Sequence, residues 1–163
     1  MTIRQVLVAT DFSEPSEAAL LYGRTLAAQF GATLHVVHVI PEIYPHMFDE
    51  GYALMTPEIR KQIEDSAREH LSELLIDSDS SGPPAMSAVL AGSSPARAIV
   101  EYAKDHAIDL IVIGTHGRGG VAHLMLGSVA ERVVRLAACP VLTVRHPEHD
   151  FVRPDALVPR AGT

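Results

Sequence analysis

Short apolar runs alternate along the chain with longer stretches in which apolar residues return every three or four positions. Ile3 to Ala9 carries Val6, Leu7, Val8 and Ala9 in a row, the mark of a strand buried on both faces. Thr10-Asp11-Phe12-Ser13 interrupts it. Ser13 then stands as an N-cap, Glu14 and Glu17 suit the positive end of a helix, and Pro15 fits its first turn. Ala18, Leu21, Tyr22, Leu26 and Phe30 predict the buried face of that helix, and Gly31 its end. Thr33 to Ile40, closed by Pro41, predicts a second strand.

Residues 42 to 55 mix polarities around Pro45 and Gly51 and read as an irregular loop. Thr56-Pro57 opens a long helix with Ile59, Ile63, Ala67, Leu71, Leu74 and Leu75 at helical spacing. Asp77 to Pro84 is a turn-rich surface loop, and Met86 to Ala91 a third strand. Gly92-Ser93-Ser94-Pro95 starts a helix whose stripe is Ala96, Ile99, Val100 and Ala103. Leu110 to Gly114 is the fourth strand. The last helix turns Val129, Val133, Leu136 and Ala137 inward, with Glu131, Arg132 and Arg135 outward. Cys139-Pro140 stops it, and Val141 to Arg145 is a fifth strand. Strands alternating with helix-sized crossovers predict an α/β fold: one open, doubly wound, five-stranded parallel sheet with helices on both faces, Rossmann-like in plan.

Composition narrows what such a domain does. The 163 residues suit one domain, and 47% hydrophobic against 20% charged positions supply a sizeable core. A net charge of −7 with no basic run argues against nucleic acid or anionic lipid as partners. No stretch approaches the roughly 18 apolar residues of a spanning helix, and the run before Asp11 is too short for a signal-peptide core. The expectation is a cytoplasmic protein without membrane insertion. Cys139 stands alone, which excludes an internal disulfide and any multi-cysteine metal site.

In open α/β sheets ligands sit beyond the carboxyl ends of the strands where strand order reverses. Thr10-Asp11, Val39-Ile40 and Gly114-Thr115 are the strand ends to watch. Five of the eleven glycines, Gly114, Gly117, Gly119, Gly120 and Gly127, fall between the fourth strand and the last helix, which Gly127-Ser128 begins. A glycine-rich loop entering a helix gathers N–H donors at the helix's positive end and makes an anion site without any basic residue. Composition alone leaves that reading level with a plain surface loop. A Walker loop needs Gly-Lys, which the chain lacks, and Gly117-x-Gly119-x-x-Ala122 stands at the wrong strand for a dinucleotide fingerprint.

What fits instead is the longer spacing Gly114-x-x-Gly117, nine residues, Gly127-Ser128, and it carries a family resemblance. The run GTHGRGGVAHLMLGSVAERVVRLAACPVLTVR (114–145) resembles the universal stress protein family in its ATP-binding branch, and VLVATDFSEPSEAAL (6–20) resembles that family's first strand and helix. The likeness spans about residues 1–146, leaving 147–163 as a C-terminal tail on which it says nothing. It implies the adenine-nucleotide α-hydrolase-like version of the fold, with ATP and Mg²⁺ as ligands. Asp11 would take the ribose hydroxyls, although by position alone it suits an Asx-turn or cap. Val39 would meet the adenine edge through its backbone, with Ala9 and Ile113 as apolar walls beside Thr10. Gly114 and Gly117 would let the loop close, with His116 a loop contact near the nucleotide and Arg118 reaching the outer phosphates. Gly127, Ser128 and Val129 would hold phosphate. The implied protein is a dimeric regulator switched by nucleotide, with at most slow hydrolysis and no catalytic residue or metal-ligating side chain. Its homodimer would form through Val141, Leu142, Thr143 and Val144, and an unknown protein partner would read the switch. The alternatives are a nucleotide hydrolase or adenylyl-transfer enzyme on the same scaffold, and a nucleotide-free interaction module.

Other candidates fall to simple geometry. Gly92-x-Ser94-x-Ala96 resembles a nucleophile elbow, but Pro95 has no N–H to offer an oxyanion, so Ser94 reads as a helix cap. His35 and His38, three apart on a strand, face opposite ways and share no ion. His116 and His123 lack an obvious third ligand, and Cys139 reads as a packing residue.

Overall fold

A computed structural model of the chain describes residues 2–41, 56–76, 82–115 and 126–145. Within them run β1 (Gln5–Thr10), α1 (Glu14–Phe30), β2 (Thr33–Pro41), α2 (Pro57–Ile76) and β3 (Ala85–Gly92). Then come α3 (Pro95–Asp105), β4 (Leu110–Gly114), α4 (Ser128–Leu136) and β5 (Val141–Val144). All four pairings are parallel, in the spatial order β3-β2-β1-β4-β5. The expected α/β architecture, a five-stranded parallel sheet, is the one found. From β1 the chain winds outward through β2 to β3, then returns to the other side of β1 for β4 and β5. That reversal leaves a crevice between the carboxyl ends of β1 and β4.

Side chains of a strand alternate between faces, and the two cores divide accordingly. Val6, Val8, Leu34, Val36 and Val112 meet Ala19, Leu20 and Ala27 of α1 and Leu71 of α2. On the other face Leu7, Ala9, Val37, Ile111 and Ile113 meet Ala96, Ile99 and Ala103 of α3 and Ala130 and Val133 of α4. Val6, Leu7 and Val8 are wholly buried. Each such side chain contributes about 1.5–3 kcal/mol on leaving water, so β1 anchors both layers.

The helix faces depart from the apolar-size pattern. In α1 the sheet-facing residues are Ser16, Ala19, Leu20, Gly23 and Ala27, whereas Leu21 is 61% and Phe30 49% exposed. Close approach explains this: a Cβ on Gly23 would lie 2.2 Å from Val8 Cγ2. The helix rests on small residues, and the large ones move to its flanks. Likewise Leu136 of α4 is 52% exposed, with Ala130 and Val133 taking the sheet, and in α2 Ile59 and Ile63 stay partly exposed while Ala67 and Leu71 are buried. Gly31 ends α1 at φ +63°, a left-handed C-cap.

Candidate nucleotide-binding crevice

Ala9 is in register with Val37 on one side and Ile113 on the other. These three carry side chains of the α3/α4 core, and half-buried Val39 packs against the same cluster. The floor of the crevice is therefore apolar across three strands.

Polar groups gather where β1 turns into α1. The Asp11 Oδ1 accepts the Ser13 N–H at 3.2 Å and the Ser13 hydroxyl at 2.5 Å, an Asx-turn. Thr10 is buried: its Oγ1 lies 3.0 Å from Ser16 Oγ and accepts the Phe12 N–H at 3.0 Å. The Thr10 side chain is thus committed to the turn. Ser16 Oγ also accepts the Ser13 N–H at 3.1 Å and donates to the Ser13 carbonyl at 2.8 Å, which fixes the first turn of α1. Ser13 serves as the N-cap residue, as its sequence position predicts, but its hydroxyl goes to Asp11.

Across the crevice β4 ends at Gly114, paired with Val144. Thr115, 7% exposed, donates its N–H to the Val144 carbonyl at 2.8 Å and accepts the Gly127 N–H at 2.6 Å. The end of β4 and the start of α4 are therefore joined directly. Gly127 caps α4, its carbonyl accepting the Glu131 N–H at 2.9 Å. The next amides, Ser128 and Val129, are first-turn donors without intrahelical acceptors, at the positive end of the helix. Phosphate donation by the Gly127 N–H does not fit this arrangement, because Thr115 already holds it. His116, Gly117 and Arg118, like His123, lie outside the described residues, as do the 42–55 loop and the 147–163 tail.

The sequence model of the Universal stress protein family matches residues 2–145. The chain belongs to the universal stress protein family. It is 32% identical over 149 residues to universal stress protein MJ0531 of Methanocaldococcus jannaschii, spanning 90% of this chain and 85% of that one. The solved structure of MJ0577, from the same organism, superposes with a TM-score of 0.78 at 26% identity, over 91% of this chain and 100% of that one. A universal stress protein solved in complex with cAMP superposes at 0.57 with 25% identity, over 89% of this chain and 98% of that one.

The opposite, amino end of the sheet carries polar groups of another kind. Here Asp109 Oδ2 accepts the N–H groups of Arg4 at 2.8 Å and Gln5 at 3.0 Å. His35, 4% exposed, sits between Gln5 Oε1 at 2.7 Å and the Tyr102 hydroxyl at 3.0 Å, with the His106 ring 5.7 Å away. The Gln5 carbonyl oxygen only accepts, so Nε2 carries the ring proton and Nδ1 accepts from Tyr102. Burial, then the nearby His106, holds the His35 pKa below its usual value. Burial likewise pushes the Cys139 thiol up, which keeps it protonated beside the α3/α4 core. His35 and His38 do face opposite layers. Among the described residues no group of three His, Cys, Asp or Glu side chains is placed to hold a metal ion, and no helix is long and apolar enough to cross a membrane.

Sequence reasoning missed Asp109 and Arg24, and it weighed His38 only as a metal ligand, not as a partner of the Thr10 carbonyl. The Arg24 guanidinium reaches from α1 to the carbonyl of Leu74 near the end of α2, where a helix runs out of its own N–H donors. Nothing in a single sequence announces such a long-range cap.

Proposed function

We propose that the chain is a nucleotide-binding regulatory protein that takes ATP with Mg²⁺ in the crevice between β1 and β4. The observation that carries this is the Thr115–Gly127 hydrogen bond. It sets the N-terminus of α4 beside the end of β4, across from Asp11 and next to the apolar floor. An adenosine phosphate needs those three surfaces. Ala9, Val39 and Ile113 suit a base, and the Asp11 carboxylate suits ribose hydroxyls. The Ser128 and Val129 amides with the Ser128 hydroxyl suit phosphate. Gly114 lets the backbone come close, and Gly117, His116 and Arg118 would complete the enclosure from the loop. The cAMP complex of a family member supports an adenine nucleotide in this role. Magnesium would be held chiefly by phosphate oxygens and water, as its octahedral preference favours.

The protein acts by linkage: nucleotide binding favours one arrangement of the loop, and a protein partner in the cytoplasm reads it. Hydrolysis is at most slow. The homodimer forms through β5, an edge strand with Val141 and Leu142 only half buried. Val134 and Leu136 of the adjacent α4 add exposed apolar surface, 46% and 52% open. Pairing covers an edge that would otherwise invite aggregation.

Thermal unfolding of nucleotide-free protein with Mg²⁺ and, separately, ATP, AMP, GTP, NAD and FMN tests the reading. Ligand at about a hundred times its Kd stabilises the native state by roughly 2.7 kcal/mol, a readily measured rise in midpoint. ATP should give the largest shift. No shift with any nucleotide would refute the reading and favour a nucleotide-free interaction module.

A further inference from the structure

The turn that presents Asp11 is held from outside itself. Thr10 and His38 are register partners in the β1–β2 ladder, and His38 Nδ1 lies 2.9 Å from the Thr10 carbonyl oxygen. A carbonyl only accepts, so Nδ1 carries a proton and donates it. Thr10 is the last residue of β1, where ladder gives way to turn. Two residues on, Phe12 has φ +62°. A bulky side chain occupies that left-handed region only where its surroundings enforce it.

The surroundings are visible. The Phe12 amide is held by the Thr10 hydroxyl. Its ring drops onto the α1/α2 core, 4.5 Å between centroids from His38 and 5.3 Å from His70 of α2. His38 therefore grips the turn twice, by its N–H at the Thr10 carbonyl and by its ring face at Phe12. Between those two grips stands Asp11, its Oδ1 already oriented by Ser13.

We infer that His38 is a positioning residue for ribose recognition: it holds the Thr10–Ser13 turn in its strained form and thereby sets the Asp11 carboxylate. The inference rests on the reading of Asp11 as the ribose ligand. Without the imidazole the strained turn relaxes, and the fraction of molecules with Asp11 in place falls. Affinity that depends on that carboxylate falls in proportion. Contacts to base and phosphate stay as they were.

The test compares ATP with 2′,3′-dideoxyATP, which lacks both ribose hydroxyls, by calorimetric titration of nucleotide-free protein. Wild type should prefer ATP by about tenfold, the value of one good charge-assisted hydrogen bond. His38→Leu should bring the preference to within about twofold while leaving dideoxyATP binding unchanged, since only the competent fraction for Asp11 changes. His38→Asn, whose amide N–H stands near the place of Nδ1–H, should restore most of the preference. Amide exchange at Phe12 and Ser13 in the unliganded Leu variant should quicken by about tenfold as the turn opens. Should that variant not fold, Phe12→Leu keeps the apolar contact, removes the ring from His38, and should lower the preference in the same direction.

A Leu variant that keeps the wild-type preference, or that weakens both nucleotides equally, overturns the inference while leaving ATP binding intact. Unchanged exchange at Phe12 and Ser13 overturns it as well. A wild type that binds both nucleotides equally refutes Asp11 as ribose ligand and this inference with it. A wild type that binds neither refutes the proposed function itself.

Discussion

The two ends of the sheet use the same chemistry in different settings. At the amino end Asp109 takes two backbone N–H groups and His35 is satisfied at both ring nitrogens. At the carboxyl end Asp11 takes the N–H and hydroxyl of Ser13, and His38 ties down Thr10. Each end thus has a carboxylate collecting local donors and a histidine braced against an aromatic ring. Position separates them. Asp109 ties the chain just before β4 to the start of β1, away from the reversal in strand order. Asp11 stands at that reversal, just past the end of β1, whose neighbour in the sheet is β4. Their hydrogen bonds alone do not tell the two carboxylates apart; their places in the topology do.

The largest expected effect comes from the scaffold that both ends share. Gly23→Val would place its Cβ 2.2 Å from Val8 Cγ2, and overpacking of that kind costs about 1–3 kcal/mol or more. Urea unfolding should show the loss, with both ends weakened together. Next, Asp109→Ala removes an acceptor from two amides, and the expected cost is about 1–2 kcal/mol, because only the Gln5 amide is partly buried. Nucleotide affinity should not change. If it did, the division between the ends would fail.

A smaller effect separates the histidines. The folded pKa of His35 is lowered from 6.5, so the unfolded chain binds its proton first. Stability is present in full above the unfolded value and declines as pH falls through 6.5 toward the lower folded value. His35→Gln should flatten the thermal midpoint over that acid range, leaving other groups' contributions in place. Smallest of all, Glu131→Gln on the solvent face of α4 breaks a 3.0 Å pair with Arg135 whose side chains are 50% and 74% exposed. It should shift stability by at most about 0.5 kcal/mol. That variant sets the baseline against which the two ends are compared.

Sequence made the strands legible because apolar runs such as Leu110 to Gly114 have no other stable home than a covered sheet. The crevice followed from strand order, and Ser13, Pro57 and Gly31 marked helix ends through local backbone chemistry. The helix faces were harder. Leu21 and Leu136 look like core residues by size, but Gly23 and Ala27 in α1, and Ala130 in α4, decide how closely the helices approach. That contest is settled by distance to Val8 and the sheet, which no periodicity reports. The Asp11 turn was half legible: an Asx-turn was open at that position and is present, while its bracing by His38 depends on a register between two strands. Gly127 shows the converse. Its place at the helix start was readable, but its N–H goes to Thr115 because the fold brings those residues together.

Calorimetric titration of ATP and Mg²⁺ into nucleotide-free wild type, Asp11→Ala and Asp109→Ala, with a thermal midpoint for each, tests the central claim most directly. Asp11→Ala should weaken binding by about tenfold or more, or about 1.4 kcal/mol, with a small change in midpoint. Asp109→Ala should lower the midpoint and keep the wild-type Kd. Equal loss of affinity in both variants, or none in Asp11→Ala, would contradict the assignment of the crevice between β1 and β4 as the nucleotide site.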